Sequence, residues 1–326
     1  MARHLGFYMR DLSAQNFNLG SRNMVLALKN ALKEKDLSFK SIAVNESHLR
    51  QFVSFIKDEH KVHTLNQIEK AHVSAFAEQL SARFEAGEIG ASTAQNQLAA
   101  INSALSQARQ DDKCTVHGVK EGFLPSRSHV ATHDKSRPNS AHIALKEQVS
   151  DRLSCQLTLQ RELGLRFKES CLLNAKSTLQ QAEKTGVVRI ENGTKGGRSR
   201  DIPITSPAQI QALRDAAEIQ EKHHSLVPAN ETFADYQKAC YQAISHADNG
   251  FHAERHAYAN DRYAQLTGAE SPVRAGVKHG ESHIKYLSET LKISQEAAKS
   301  LDISARMQVA NELGHSRVAI SNNYLG

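Results

Sequence analysis

Four times in the N-terminal third of this chain, apolar side chains return at intervals of three and four. Val25, Leu28 and Leu32 make one stripe and Leu49, Phe52, Val53 and Ile56 a second. Val73, Phe76, Leu80 and Phe84 make a third, and Leu98, Ile101 and Leu105 a fourth. That period turns one face of each segment toward a core, so the segment reads as a packet of helices. Ser92 is the expected N-cap of the fourth. Lys29, Lys33, Lys35, Arg50 and Lys57 fall on the outer faces, where they either stand in solvent or meet a row of phosphates.

From about residue 110 to residue 140 the period fails, and Gly118, Gly122, Pro125 and Pro138 appear among Ser, His and Lys. This is the composition of a linker or long loop. Its Lys113, Lys120, Arg127, Lys135 and Arg137 suit a strap along a phosphate backbone as well as they suit plain disorder. The expected organisation is therefore a helical domain over 1–110, a linker over 111–140 and a second domain over 141–326, which a chain of 326 residues can supply with two cores.

In the second domain, Leu153, Leu157, Leu163, Leu172 and Leu173 predict buried helices on both sides of Gly164. Val187–Ile190 and Arg200–Ile204 read as short strands joined by a turn rich in Gly and Asn, with Pro203 implying that the second strand lies at an edge or that its N–H position points outward. Ser206 and Pro207 stand in N-cap and first-turn order before Ile210, Leu213 and Ala217. The expected fold class is mainly α with a small antiparallel β-sheet.

Charge and cysteine usage narrow the setting. The chain has 41 Lys and Arg against 35 Asp and Glu, with a pI near 9.1, which fits a polyanionic partner without requiring one. Cys114, Cys155, Cys171 and Cys240 lie far apart with no CxxC spacing, so neither a zinc ribbon nor a disulfide framework is expected. Met1–Arg10 lacks the apolar stretch of an export signal, and no apolar run is long enough for a membrane span. A soluble, cytoplasmic protein is the expectation.

The residues that carry chemistry are spread along the second domain. Gly314 after Met307, Ala310 and Leu313 reads as a helix stop that leaves His315 on a turn and Tyr324 nine positions on. Upstream stand Gly164-Leu165-Arg166 with Glu169, then Lys195 in a Gly-rich turn, then His252-Ala253-Glu254-Arg255-His256. Transfer of a phosphoryl group to a phenol needs a tyrosine, cations for the charge on the phosphate oxygens and an acid for the leaving oxygen. Arg166 and Arg255 can supply the forked clamp, and Lys195 the acid. Singly each has an ordinary explanation: Arg166 paired with Glu169, Lys195 a turn lysine, His252 and Arg255 one helical face paired with Glu254 or water. No Walker loop, clustered carboxylates or HExxH motif points to another phosphoryl-transfer chemistry.

In joint order these pieces resemble the tyrosine recombinases, the phage-type integrase family. The resemblance runs from about Asp151 to the C-terminus, through Leu163-Gly164-Leu165-Arg166 with Glu169, Lys195 before Arg200-Asp201-Ile202-Pro203-Ile204, His252-x-x-Arg255-His256, Leu313-Gly314-His315-Ser316 and Tyr324. The helical first domain is similar in shape to that family's core-binding domain. The resemblance implies a catalytic domain and a core-binding domain forming a C-shaped clamp on double-stranded DNA. It also implies site-specific recombination through a 3′-phosphotyrosyl intermediate, without metal or nucleotide cofactor, in the service of a mobile genetic element. By position Tyr324 would attack, Arg166 and Arg255 hold the phosphate, Lys195 act as acid, His252 as base or hydrogen-bond partner, His315 donate to the phosphate, and Glu169 orient its neighbours. A homotetramer on two DNA sites, accessory DNA-bending proteins and a nucleoid-associated, bacterial-type location are implied with them. The alternatives are an inactive DNA-binding accessory protein of the same fold and a type IB topoisomerase-like enzyme, which would relax supercoils without joining recombinant products.

Two features depart from the family pattern. Sixty positions separate Arg255 from His315, so an insertion is expected within Tyr258–Ser304, and only Leu325 and Gly326 follow Tyr324. The apolar run Ile284, Leu287, Leu291 and Ile293 in the inserted stretch could replace a C-terminal tail as the contact between protomers, or pack back on its own domain.

Overall fold

A computed structural model describes residues 10–35 and 37–326. Residues 1–9, placed at the start of the first domain by the sequence, and residue 36 lie outside the described residues. The chain divides into two compact units, residues 1–127 and 128–326.

The first unit is built on α1 (Met24–Lys33), α2 (Phe39–His60), α3 (Lys70–Glu85) and α4 (Ala91–Arg109). All four apolar stripes lie on these helices, and Leu28, Leu32, Phe52, Ile56, Phe76, Leu80, Ile101 and Leu105 are buried in one core. The Phe52 and Phe76 rings meet edge to face at 5.2 Å, and burial of each such side chain contributes about 1.5–3 kcal/mol. The cap of α4 differs from expectation: Gly90 holds the N-cap position without a side-chain hydrogen bond, and Ser92 is already inside the helix. Residues 111–124 are not a linker in space. Cys114, Val116 and Leu124 join the core of the first unit, and Asn102 of α4 takes both the N–H and the C=O of Val116, at 3.1 and 2.8 Å. Because that side chain satisfies the backbone, a segment with no helical period packs as tightly as a helix.

The second unit contains α5 (Asn139–Glu147), α6 (Asp151–Leu163), α7 (Phe167–Leu172), α8 (Ala175–Thr185), β1 (Val187–Ile190), β2 (Arg200–Pro203), α9 (Pro207–Gln220), α10 (Phe233–Ala243), α11 (His252–Thr267), α12 (Pro272–Ala275), α13 (Glu281–Leu291), α14 (Gln295–Glu312) and α15 (Asn322–Leu325). The two strands pair antiparallel with Val187 opposite Pro203 and Ile190 opposite Arg200. Theirs is the only sheet among the described residues. Helix α9 begins at Pro207 behind Ser206, which forms a capping box with Gln209. A core of Leu159, Leu163, Leu165, Val188, Ile202, Leu213, Tyr258, Tyr263, Val309 and Leu313 extends to Tyr324 and Leu325.

The sixty positions between Arg255 and His315 are spent on helices: the rest of α11, then α12, α13 and α14. On α13 the apolar side turns inward. Leu287 is fully buried in a small core with Ala269 and Ala298, and Ile284, Leu291 and Ile293 pack against it. The face that the sequence offered as a protomer contact is thus consumed within the unit. Met307 of α14 stands exposed, whereas Ala310 and Leu313 are buried. No helix among the described residues is long and apolar enough to cross a membrane.

Candidate active site

The corner after α6 sets the first half of the site. Gly164 ends that helix in the left-handed region (φ +58°), and a Cβ there would stand 2.5 Å from a ring carbon of Tyr258, so both conformation and space require glycine. The turn delivers Arg166 to the N-cap of α7. Its backbone N–H donates to Glu169 Oε2 and its Nη1 to Glu169 Oε1, each at 2.7 Å, and its Nη2 to the carbonyl of Leu313 at 3.4 Å. Arg166 remains half-buried while Glu169 is fully buried. Burial raises the Glu169 carboxyl, but the hydrogen bonds and charge of Arg200, the Arg166 N–H and the charge of Arg255 outweigh it and hold the pKa at about 2.

Helix α14 sets the second half. Its last carbonyls carry the partial negative charge of a helix C-terminus, and three guanidiniums converge on them. Arg200 Nε donates to Glu312 O at 2.7 Å. Arg166 and Arg255 both donate to Leu313 O. Gly314, at φ +72°, then turns the chain, as the glycine in the sequence predicted. His315 follows it, with its backbone N–H on Ala310 O.

Arg255 on α11 is wholly buried. Its Nη1 donates to Gly164 O and its Nη2 to Leu313 O, so it ties the two halves together. Its Nε donates to the hydroxyl oxygen of Tyr324 at 3.2 Å. Burial lowers its pKa to about 10, with the phenol partly opposing and Arg166 and Arg200 reinforcing the shift; the group remains a cation at neutral pH. Helix α15, preceded by a 3₁₀ turn over Val318–Ser321, brings Tyr324 to this point.

Two imidazoles complete the surroundings of the phenol. His252 Nε2 lies 3.3 Å and His315 Nε2 3.4 Å from the Tyr324 hydroxyl. His315 is lowered to a pKa of about 4 by burial and then by Arg255, Arg166 and Arg200. His252 is pushed to about 4 by its packed surroundings, then by Arg255, Arg166 and Lys135. Its outer edge is open to solvent, so water offsets part of that push. Both rings are neutral at pH 7, and each has one N–H and one lone pair. The phenol oxygen has two lone pairs and one proton. With Arg255 donating to one lone pair, one imidazole can donate to the other while the second accepts the phenolic proton. The arrangement can therefore take up the phenolic proton as the oxygen attacks and offset charge on that oxygen with a fixed cation.

The structure brings Arg166, Glu169, His252, Arg255, His315 and Tyr324 together. It does not bring Lys195 into contact with them. Lys195 opens a short exposed turn, Lys195–Gly197, and among the described residues it makes no hydrogen bond. The turn nevertheless flanks the site. Gly193 passes so close to α7 that a Cβ would lie 2.8 Å from the Lys168 carbonyl, and Arg198 Nη1 donates to Ser316 Oγ at 3.1 Å. Glu254 does not pair with its helix neighbours either. It is buried and bound by Arg137, Arg161 and His142 of other segments.

Two residues with no role assigned from sequence stand in the site. His256 lies against the Tyr324 ring, tilted by 45° with the centroids 4.8 Å apart, and burial, then His252 and Lys135, lower it to about 4. Arg200, 7% exposed, grips Glu169 with Nη1 and Nη2 at 2.8 and 2.7 Å. Strand alternation was the available signal for Arg200, because it shares the inward face with Ile202.

The sequence pattern of the integrase family matches residues 125–261. No curated protein matches the chain. Among solved structures, the Tn1549 transposon integrase in complex with transposon right end DNA is 12% identical, with 93% of this chain and 94% of that one covered at a TM-score of 0.54. A lambda integrase dimer bound to a COC′ core site is 14% identical, covering 90% and 94% at 0.51. The XerH site-specific recombinase bound to palindromic difH substrate is 16% identical, covering 93% and 81% at 0.52. At such identities the structural likeness is one of fold, and in sequence residues 125–261 are similar to the integrase family.

Proposed function

We propose that this protein is a site-specific DNA recombinase that cuts and rejoins double-stranded DNA through a 3′-phosphotyrosyl link at Tyr324, in the service of a mobile genetic element. The observation that carries the reading is the convergence of Arg255 Nε, His252 Nε2 and His315 Nε2 on one tyrosine hydroxyl, at 3.2, 3.3 and 3.4 Å. A tyrosine kept for packing has no use for a buried cation and two neutral imidazoles.

In this reading the Tyr324 oxygen attacks the scissile phosphorus as its proton passes to His252. The P–O bond to the 5′ carbon breaks, and Lys195, carried by the exposed hairpin turn beside α7, protonates the leaving oxygen. Arg166 and Arg255 offset the charge that builds on the nonbridging oxygens, His315 donates to them, and Glu169 holds Arg166 in place. The phosphodiester is conserved as a phosphotyrosine, so a second 5′-hydroxyl can reverse the step and join a new strand. Four copies on two DNA sites, with DNA-bending proteins as accessories at the nucleoid, would complete recombination.

A nicked suicide substrate tests this reading. Wild-type protein is expected to accumulate a covalent adduct with the 3′ end, whereas Tyr324→Phe, which lacks only the attacking oxygen, forms none and binds the same DNA with little change. An adduct that persists in Tyr324→Phe would reject the assignment. Supercoil relaxation without recombinant product would move the reading to a topoisomerase.

A further inference from the structure

We infer that Arg200 is a positioning residue of the cleavage site, occupying Glu169 so that the guanidinium of Arg166 stays available to an incoming phosphate. The inference rests on the recombinase reading above and adds to it a residue that never touches the reacting atoms.

Charge placement gives the reason. Three guanidiniums, of Arg166, Arg200 and Arg255, surround one buried carboxylate, Glu169. Each Glu169 oxygen accepts one bond from Arg166 and one from Arg200: Oε1 from the two Nη1 atoms, Oε2 from the Arg166 N–H and Arg200 Nη2. Arg166 therefore contributes a single side-chain nitrogen to the carboxylate. Without Arg200, both oxygens would lose a charged partner in a dry environment, and the nearest group able to replace it is Arg166 itself. A closed, two-pronged pair between Arg166 and Glu169 would form. Its donors and charge would then be spent on the carboxylate in competition with the phosphate.

Backbone geometry agrees. Arg200 occupies an inward position of β2, where an arginine is costly unless paired. Its Nε fixes Glu312 O, one residue before the Leu313 carbonyl that receives Arg166 and Arg255. The next residue is Gly314, where a Cβ would come within 3.0 Å of Arg200 Cδ. The turn bearing His315 is thus shaped to admit this side chain.

Cleavage of the suicide half-site by wild type, Arg200→Gln, Glu169→Gln and the double variant decides the matter. Arg200→Gln is expected to slow adduct formation by about a hundredfold, the scale of losing one preorganised donor set, with little change in DNA affinity. Adding Glu169→Gln removes the competing charge, and the double variant is expected to recover about tenfold or more of that loss. A merely structural role for Arg200 predicts no such rescue, because a second buried change would only weaken the fold. A single variant that cleaves at the wild-type rate, or a double variant no faster than the single, overturns the inference. Should Arg200→Gln fail to unfold cooperatively, Arg200→Lys with and without Glu169→Gln makes the same comparison with charge retained. A wild-type protein that forms no adduct would overturn the recombinase reading and this inference together; a cleaving wild type with unaffected variants overturns only the inference.

Discussion

Neutral histidines packed against cations store a pH dependence at the residue scale. His256 and His315 are each held at about 4 by burial and neighbouring positive charge, against about 6.5 in an unfolded chain. Between those values the unfolded state binds more protons than the folded state, so stability rises with pH. Their contribution is complete above pH 6.5 and is lost as pH falls through the folded value. The free protein is therefore expected to lose thermal stability between pH 7 and pH 5, well above the window near pH 2 in which Glu169 titrates. A bound phosphate brings negative charge to the same rings and raises their pKa, so DNA affinity at constant salt is expected to increase over the same fall in pH. Flat profiles in both melting and binding would contradict the buried cluster, and His256→Gln with His315→Gln should make both profiles shallower, with His252 accounting for what remains. Much of this site was legible in the sequence because Arg166, Arg255, His315 and Tyr324 belong to residue types that phosphoryl transfer needs, in a telling order. Arg200 was not. Its partners Glu169 and Glu312 lie 31 and 112 positions away, and only folding shows that they meet.

Helices announced by a strict apolar period, and the hairpin announced by its glycines, formed where the sequence placed them. What periodicity could not supply at the scale of elements was the direction in which an apolar face turns. The stripe on α13 looks the same whether it faces another protomer or its own unit. The structure turns Leu287 onto Ala269 and Ala298, with Ile284 and Leu291 beside it. The α13–α14 pair is closed by local signals: Lys292 in the left-handed C-cap of α13, then the Ser294 side chain accepting from Ala297 N at the start of α14. Truncation of Leu287 to Ala should cost about 2–5 kcal/mol, the range for a fully buried leucine, and lower the melting temperature. Denaturant unfolding of Leu287→Ala measures it. Wild-type stability combined with loss of assembly on DNA would return this helix to the role of a protomer contact.

Across the whole molecule the basic residues divide into those committed to the fold and those left for a partner, a division the sequence could not express. Arg137, read as part of a basic strap, is buried and bound to Glu254 and to two backbone carbonyls. Lys29 and Arg50 on the first unit converge on Glu46 at 2.5 Å each. Lys33, Lys113, Lys120 and Arg127 are exposed. The pairs on Glu46 are reached by solvent and screened by it, so a phosphate can replace the carboxylate at little cost, whereas the Arg137 bridge will not open. A net charge of +6 over 326 residues is modest, and affinity for DNA must then come from local contacts rather than from the field of the whole chain. Each phosphate neutralised releases condensed counterions, so log K is expected to fall with log salt at a slope of roughly −5 for about six contacts. Arg137→Gln should lower thermal stability and leave that slope unchanged, whereas removing an exposed cation that contacts DNA should reduce the slope by about one. Titration of a labelled duplex at several salt concentrations measures both. A slope near zero would remove duplex DNA as the partner, and a slope altered by Arg137→Gln would return that residue to the DNA-binding surface.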